Sequence, residues 1–317
     1  MSLFEVLSPG LLTTVQDLGR DGFGTMGVST SGAADSLALR IGNRLAGNAE
    51  GAAALEMTLL GGTFAFPEKA VIALAGSDFG ATLDGVPVEM WSSLDVHAGQ
   101  TLRVGATKGG ARCYLCVRGG IDVKPVLGSA STHLLSGLGG FEGRPLRKGD
   151  VLKIGTQKSG FRVFRKNSVA KRALLKLVPR KSLRVTAGPQ SDWFSADAQK
   201  TFYLETYLVA EESNRMGLRL DGAAIPALAG SGGEMLSEGV SLGAVQITAS
   251  GLPIILFVEQ QTTGGYPKIA NVISADLSSL GQLRPRDEIR FEQVEMETAR
   301  ALLIEQEKLL NPEALLV

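Results

Sequence analysis

Short apolar runs, most of four or five residues, recur along the chain and are broken by glycine and polar turn residues. Runs of that length read as strands, and their spacing suits a β-domain with tight turns. In the first half they fall at residues 3–7, 63–66, 71–75, 101–104, 113–117, 151–154 and 162–164, with turns such as Asp84-Gly85 and Gly119-Gly120 between them. That procession predicts a closed or sandwiched β-domain. A fresh block opens near Leu183 with L-R-V-T-A-G-P-Q, and strand-like stretches follow at 213–222, 237–248, 254–258 and after Leu280. Two stretches read as helices. Within 29–48, Ala34, Leu37, Ala38, Ile41 and Leu45 line one face; Ser31 is placed as the N-cap, and Gly47-Asn48 provides a left-handed stop. Residues 296–310 form the second helix, with Leu302, Leu303 and Leu309 as apolar anchors. The class is therefore mainly β with a few helices.

Size turns this pattern into two domains. A chain of 317 residues is too long for one small core. Both halves read as β-barrels of similar size, giving an N-terminal domain over 1–178 and a C-terminal one over 179–317. The basic stretch 162–181, interrupted by Leu174, Leu175, Leu177 and Val178, reads as a solvated linker or edge between them. Basic and acidic residues balance at 32 each, and no basic block occurs, which argues against nucleic acid as a partner. No apolar run approaches membrane-spanning length and no leader pattern opens the chain, so a soluble, cytoplasmic protein is expected.

The stretch that concentrates chemistry is 254–276. Its opening apolar run, 254–258, suits a strand buried on both faces. Glu259, Gln260, Gln261, Thr262, Thr263, Gly264, Gly265, Tyr266, Pro267 and Lys268 follow at the strand end. Paired glycines allow positive φ and close backbone approach, and Pro267 stiffens the exit. Hydroxyls, amides, a phenol and an ammonium suit a small anionic or amide-like ligand, although a tight hairpin uses the same residues. In T-T-V-Q-D-L-G-R, Gln16, Asp17 and Arg20 show no amphipathic period and are expected on a loop. There Asp17 and Arg20 form either a structural ion pair or an oriented anion site. Asp35 suits a helix start, and Glu56, in an apolar setting, needs a partner. Cys113 and Cys116 form a C-x-x-C in a strand-like run, which places them on opposite faces as structural cysteines. His97 and His133 lack metal-ligand spacing, so no zinc or haem site is expected. The glycine-rich run 137–144 misses the dinucleotide fingerprint at Glu142, and no P-loop motif occurs.

These segments together resemble one family. T-T-V-Q-D-L-G-R, S-G-A-A-D, N-R-L-A-G-N, G-G-I-D-V, G-S-A-S-T, G-G-F-E-G-R-P-L, S-N-R-M-G-L-R-L-D-G, L-G-A-V-Q and Q-T-T-G-G-Y-P-K-I-A-N-V-I-S-A-D-L occur in the order of the KipA, or allophanate hydrolase subunit 2, family. The resemblance runs from about residue 8 to 292. It departs from the usual pattern at Ala34, Glu259, Gln260 and Arg286, the middle two adjoining the 262–268 loop.

The resemblance implies two cyclophilin-like β-barrel domains and a role as the C subunit of an ATP-dependent 5-oxoprolinase. That enzyme cleaves the lactam of 5-oxoproline to L-glutamate. The implied partners are a B subunit, of the KipI, or allophanate hydrolase subunit 1, family, and an A subunit. ATP with magnesium would act at the level of the complex. It also implies two alternatives: the carboxyltransferase component of a biotin-dependent urea carboxylase, or a regulatory protein antagonising a KipI-like kinase inhibitor. No Met-Lys-Met biotinylation motif occurs, so any biotin would arrive on a separate carrier. On this reading Gly264 and Gly265, with Thr262, Thr263 and Tyr266, cradle a carboxylate or phosphoryl group. Lys268, Arg20 and Arg215 supply positive charge, with Asp17 orienting Arg20. Gln16 and Gln261 recognise the lactam, and Asp35, Asn43 and Glu56 are secondary candidates.

Overall fold

The computed structural model describes residues 2–156, 168–228 and 235–316, and the strand expected at 162–164 lies outside them. The chain divides into two compact units. The first comprises Met1–Arg20, Ser31–Val178 and Leu310–Val317; the second comprises Asp21–Thr30 and Pro179–Leu309. Neither unit is a single uninterrupted segment, because residues 21–30 group with the second and 310–317 with the first.

In the first unit the strands form two sheets. One has six strands in the order Val151–Lys153, Leu3–Ser8, Thr63–Phe66, Gln100–Arg103, Thr82–Leu83 and Val86–Pro87. The other has five: Leu12–Gln16, Ala54–Thr58, Arg112–Val117, Ala70–Gly76 and Ser93–Val96. Alternate residues such as Phe4, Val6, Phe64, Phe66, Leu55, Leu74, Cys113 and Leu115 make one core. The sandwiched form is thus the one this half adopts.

The helix Ser36–Ala46 covers the five-stranded sheet at Ala70–Gly76 and Arg112–Val117. Its N-cap is Asp35, whose carboxylate accepts from the Ala38 N–H at 2.9 Å, and not Ser31. Ser31 sits earlier, at φ 55°, and its hydroxyl donates to the Thr132 carbonyl. Asp35 wins because an acceptor immediately before the first turn reaches the open N–H groups there. Gly47 ends the helix at φ 82°, as expected. Cys113 points into the core, whereas Cys116 points under the helix, with its Sγ 3.9 Å from the Leu39 carbonyl oxygen. Both are free thiols, and burial pushes both pKa values up.

Gln16 is not on a loop but ends a strand, Leu12–Gln16, paired with Ala54–Thr58, whereas Asp17 and Arg20 lie in the loop beyond it. Thr13, Thr14, Val15 and Gln16 are all buried, so no alternation of polar and apolar residues marks the strand.

The second unit closes. Seven strands run around a barrel in the order Ser182–Ala187, Lys268–Val272, Ala244–Ile247, Pro253–Leu256, Gly217–Asp221, Tyr207–Val209 and Glu288–Gln293. The last pairs in parallel with the first, and every other neighbouring pair is antiparallel. Helix Ala196–Leu204 packs on the closing strand, with the Phe202 and Phe291 rings stacked 4.4 Å apart. The helix Met296–Leu309 is anchored through Ala299 and Leu302 on Ile273 and Ala275, while Leu303 and Leu309 stay half-buried. Among the described residues no helix is long and apolar enough to cross a membrane.

Candidate functional site

Each unit carries its own polar cluster. In the first, the T-T-V-Q-D-L-G-R turn wraps onto the S-A-S-T segment. Asp17 Oδ1 accepts from the Gly19 N–H (2.8 Å), Ser129 Oγ (2.6 Å) and Ser131 Oγ (2.5 Å), and Oδ2 accepts from the Ala130 N–H (2.6 Å). The Asp17 N–H in turn donates to Ser131 Oγ at 3.0 Å. Asp17 is therefore the knot of this loop. The buried Arg20 donates through Nη2 to the Ser131 carbonyl. Gln16 donates through Nε2 to Thr14 Oγ1 and the Thr132 carbonyl, each at 3.0 Å, and its own Oε1 accepts from none of the described residues. The glycine-rich run beyond fits because it lacks side chains. At Gly140, with φ +56°, a Cβ would collide with Thr132 Oγ1.

Asp35 and Glu56 meet elsewhere, beneath the helix start. Tyr114 Oη donates to Glu56 Oε2 at 2.6 Å and accepts from the Asp35 N–H at 2.8 Å. Glu56 also accepts from the Ala34 N–H at 2.8 Å and pairs with Arg112 at 3.6 Å. Glu56 is thus partnered, as its apolar setting demands. Asn43 is buried, not off the helix's covered face; its Nδ2 donates to the Glu50 and Ala52 carbonyls at 3.0 and 2.7 Å. Its donors hold the turn after the helix.

Burial, followed by the neighbouring Glu56 carboxylate, holds the Tyr114 phenol's pKa well above the ordinary range. The fold therefore binds this proton more tightly than the unfolded chain does. The resulting stability is complete below the unfolded value near 10 and is lost as pH climbs through the folded value. Tyr207 acts in the same sense, pushed up to about 12 by burial. Tyr114→Phe should cost about 1–3 kcal/mol by leaving Glu56 and the Asp35 N–H each short of a buried partner. It should also flatten the alkaline loss. Chemical denaturation at pH 8 and pH 11 measures both, and an unchanged midpoint would remove Tyr114 from this role.

The second cluster surrounds the 260–268 loop. The apolar run forms the strand Pro253–Leu256, and Glu259 turns back to pair with the buried Arg215 at 2.5 Å. The Glu259 N–H also donates to the Arg215 carbonyl at 2.8 Å. Arg215 thus braces the strand end. Thr263–Gly264 is taken up in a two-stranded ladder with Glu238–Gly239. Neither Gly264 nor Gly265 adopts positive φ, and at 264 the backbone lies close to two glutamine amides. A Cβ there would lie 2.5 Å from Gln246 Nε2 and 3.0 Å from Gln261 Nε2. Gln261 and Thr263 are exposed, whereas Thr262 and Tyr266 are half-buried.

Lys268 begins a barrel strand opposite Gln246. Its Nζ pairs with Glu238 Oε1 at 2.5 Å and lies 4.0 Å from Met235 Sδ. Gln190 closes the group: its Nε2 donates to Glu238 Oε1 at 2.9 Å, and its Oε1 accepts from the Lys268 N–H at 3.2 Å. Gln246 Nε2 reaches the Tyr266 carbonyl at 3.4 Å. One ammonium, one carboxylate and the amides of Gln190, Gln246 and Gln261 thus gather around a glycine. That set can bind a carboxylate and an amide together.

A family model described as carboxyltransferase domain, subdomain A and B, matches residues 26–293. The chain belongs to this family. It is 40% identical over 297 residues to the 5-oxoprolinase C subunit of Escherichia coli (strain K12), an overlap covering 94% of this chain and 93% of that protein. It is 35% identical to the urea amidolyase of Saccharomyces cerevisiae over 94% of this chain, but that match covers 17% of the larger enzyme. The crystal structure of the K. lactis urea amidolyase superposes with a TM-score of 0.92 at 35% identity, covering 98% of this chain and 20% of that one.

For this carboxyltransferase-family chain, reading the residues alone missed Gln190, Glu238 and Gln246 in the second unit and Ser129, Ser131 and Tyr114 in the first. Gln190 and Gln246 do end two of the motifs, L-R-V-T-A-G-P-Q and L-G-A-V-Q, and in the second a polar residue follows an apolar run. Glu238 had no such signal, because its place follows from a pairing of two-residue strands.

Proposed function

We propose that the chain is the C subunit of an ATP-dependent 5-oxoprolinase and works with the A and B subunits to open the lactam of 5-oxoproline to L-glutamate. The observation that carries this is the two-way overlap with the C subunit of a 5-oxoprolinase, which spans more than nine-tenths of both chains. The second unit's cluster suits the substrate. Lys268 and Gln190 already aim two donors at one carboxylate oxygen, the arrangement the carboxylate of 5-oxoproline needs. Gln246 and Gln261 present amides beside Gly264, where the lactam N–H and C=O can each find a partner. Fixed donors near the lactam oxygen favour the charge it gathers as the carbonyl carbon is attacked, before the C–N bond breaks. Arg215 acts through its pair with Glu259, holding the loop. Gln16, Asp17 and Arg20 order the first unit's loop, while Asp35, Asn43 and Glu56 order its helix.

ATP activates the amide oxygen when bound to the complex. Among the described residues no three His, Cys, Asp or Glu side chains stand together as a metal site. The test is glutamate release from 5-oxoproline by the chain reconstituted with its A and B partners. The expected result is ATP-dependent glutamate that disappears when this chain is omitted; none from an intact complex overturns the proposal. The likeness to urea amidolyase, at a TM-score of 0.92, favours one second reading, a carboxyltransferase supplied with carboxybiotin by a separate carrier. Urea with a carboxybiotin donor is therefore the control substrate.

A further inference from the structure

The Lys268 cluster pairs a buried cation with an exposed anion. The Lys268 side chain is 5% exposed and that of Glu238 is 44% exposed. Glu238 belongs to a strand of two residues, Glu238–Gly239, and its carboxylate oxygen is held by Lys268 Nζ and Gln190 Nε2. The hydrogen bonds from Lys268 and then Gln190 keep the Glu238 carboxyl below the ordinary range, so the position holds a carboxylate. Should the pair part, Glu238 regains water at once. Lys268 has no such recourse, because a buried ammonium that loses its counter-charge is strongly destabilised. Whatever displaces Glu238 must therefore bring negative charge of its own.

We propose that Glu238 is a specificity-determining residue: its carboxylate occupies the position that the carboxylate of an anionic amide substrate takes, and the two compete for Lys268 and Gln190. This rests on the reading above in placing substrate at Lys268. An anionic lactam replaces one carboxylate with another and leaves the charge of the site unchanged. A neutral amide of the same shape cannot do so, since it would strand the ammonium. The site thus rejects neutral amides by charge balance and not by shape, and Glu238 weakens its anionic ligand in return.

The test is calorimetric titration of the complex, without ATP, with 5-oxoproline and with its neutral isostere, 5-oxoprolinamide. Wild type is compared with Glu238→Gln, which keeps a hydrogen-bond acceptor for Lys268 and removes only the charge. The variant should bind 5-oxoproline about tenfold more tightly, the effect of removing one charge-assisted competitor, and wild type should bind the neutral amide at least about tenfold more weakly than the acid. Unchanged or weaker 5-oxoproline binding by the variant, or wild-type affinity for the amide equal to that for the acid, overturns the proposal. Glu238→Ala gives a second check, with co-purification and circular dichroism showing that fold and complex persist while Lys268 is left without this carboxylate. Glutamate formation measured in parallel separates the two readings. Tighter binding by Glu238→Gln where wild type forms no glutamate sinks the oxoprolinase reading alone, and glutamate formation without tightening sinks this one alone.

Discussion

Lys268→Ala should lower kcat/KM for glutamate formation by the reconstituted complex by about a hundredfold or more, chiefly by raising KM, the expected effect of losing a charge-assisted bond to the substrate's carboxylate. The fold should survive. The partner left behind, Glu238, is already half in water and re-solvates without a buried orphan. The ladder between Glu238–Gly239 and Thr263–Gly264 is made by backbone and does not need the ammonium. Co-purification with the other two components and a near-native thermal midpoint are therefore expected beside the lost activity. Lys268→Met, which keeps the buried stem and removes the charge, should behave the same way. Glutamate formation at the wild-type rate in either variant would exclude Lys268 from the reaction.

Glu259→Ala should have the largest effect on stability. Glu259 and Arg215 are both almost wholly buried, at 3% and 6% side-chain exposure, with 2.5 Å between Oε1 and Nε. Removing the carboxylate leaves a buried guanidinium without that counter-charge, which costs about 3–5 kcal/mol. For a unit of this size that is a fall of about 10 °C in Tm. Glu259→Asp retains the charge on a stem shorter by one methylene and should fall between the two. The pair also sets where the strand Pro253–Leu256 hands over to the 260–268 loop, so activity should drop along with stability. Differential scanning calorimetry decides the matter: a shift of only about 1–2 °C for Glu259→Ala would mean that Arg215 does not depend on this carboxylate.

Some of this was legible along the chain. The helix Ser36–Ala46 could be read from its apolar stripe and Gly47, and the strand Thr63–Phe66 from its flanking turns. These are local signals, in which residues a few positions apart decide the outcome. Glu56 could be marked as needing partners, but not which ones, because Tyr114 and Ala34 reach it from 58 and 22 residues away. The strand Leu12–Gln16 was hidden because burial of its polar residues erased the alternation that would have announced it. Glycine at 264 could be noted but not explained. Positive φ was the sequence's suggestion, and neither Gly264 nor Gly265 adopts it.

What the amino-acid sequence determined by itself is the β-rich class, the cysteines' opposite faces and the loop in which the second unit's polar residues gather. Periodicity, turn residues and strand length settle such matters within a few positions. What only the tertiary structure decided is the partnership within each cluster: Asp17 with Ser129 and Ser131, Arg215 with Glu259, and Lys268 with Glu238 and Gln190. Those pairs join residues tens of positions apart, and a charge acquires its meaning from whichever group the sheet register sets opposite it. Lys268 reads in the sequence as a cation at the end of a loop. In the barrel it is a buried one whose single carboxylate partner among the described residues faces water.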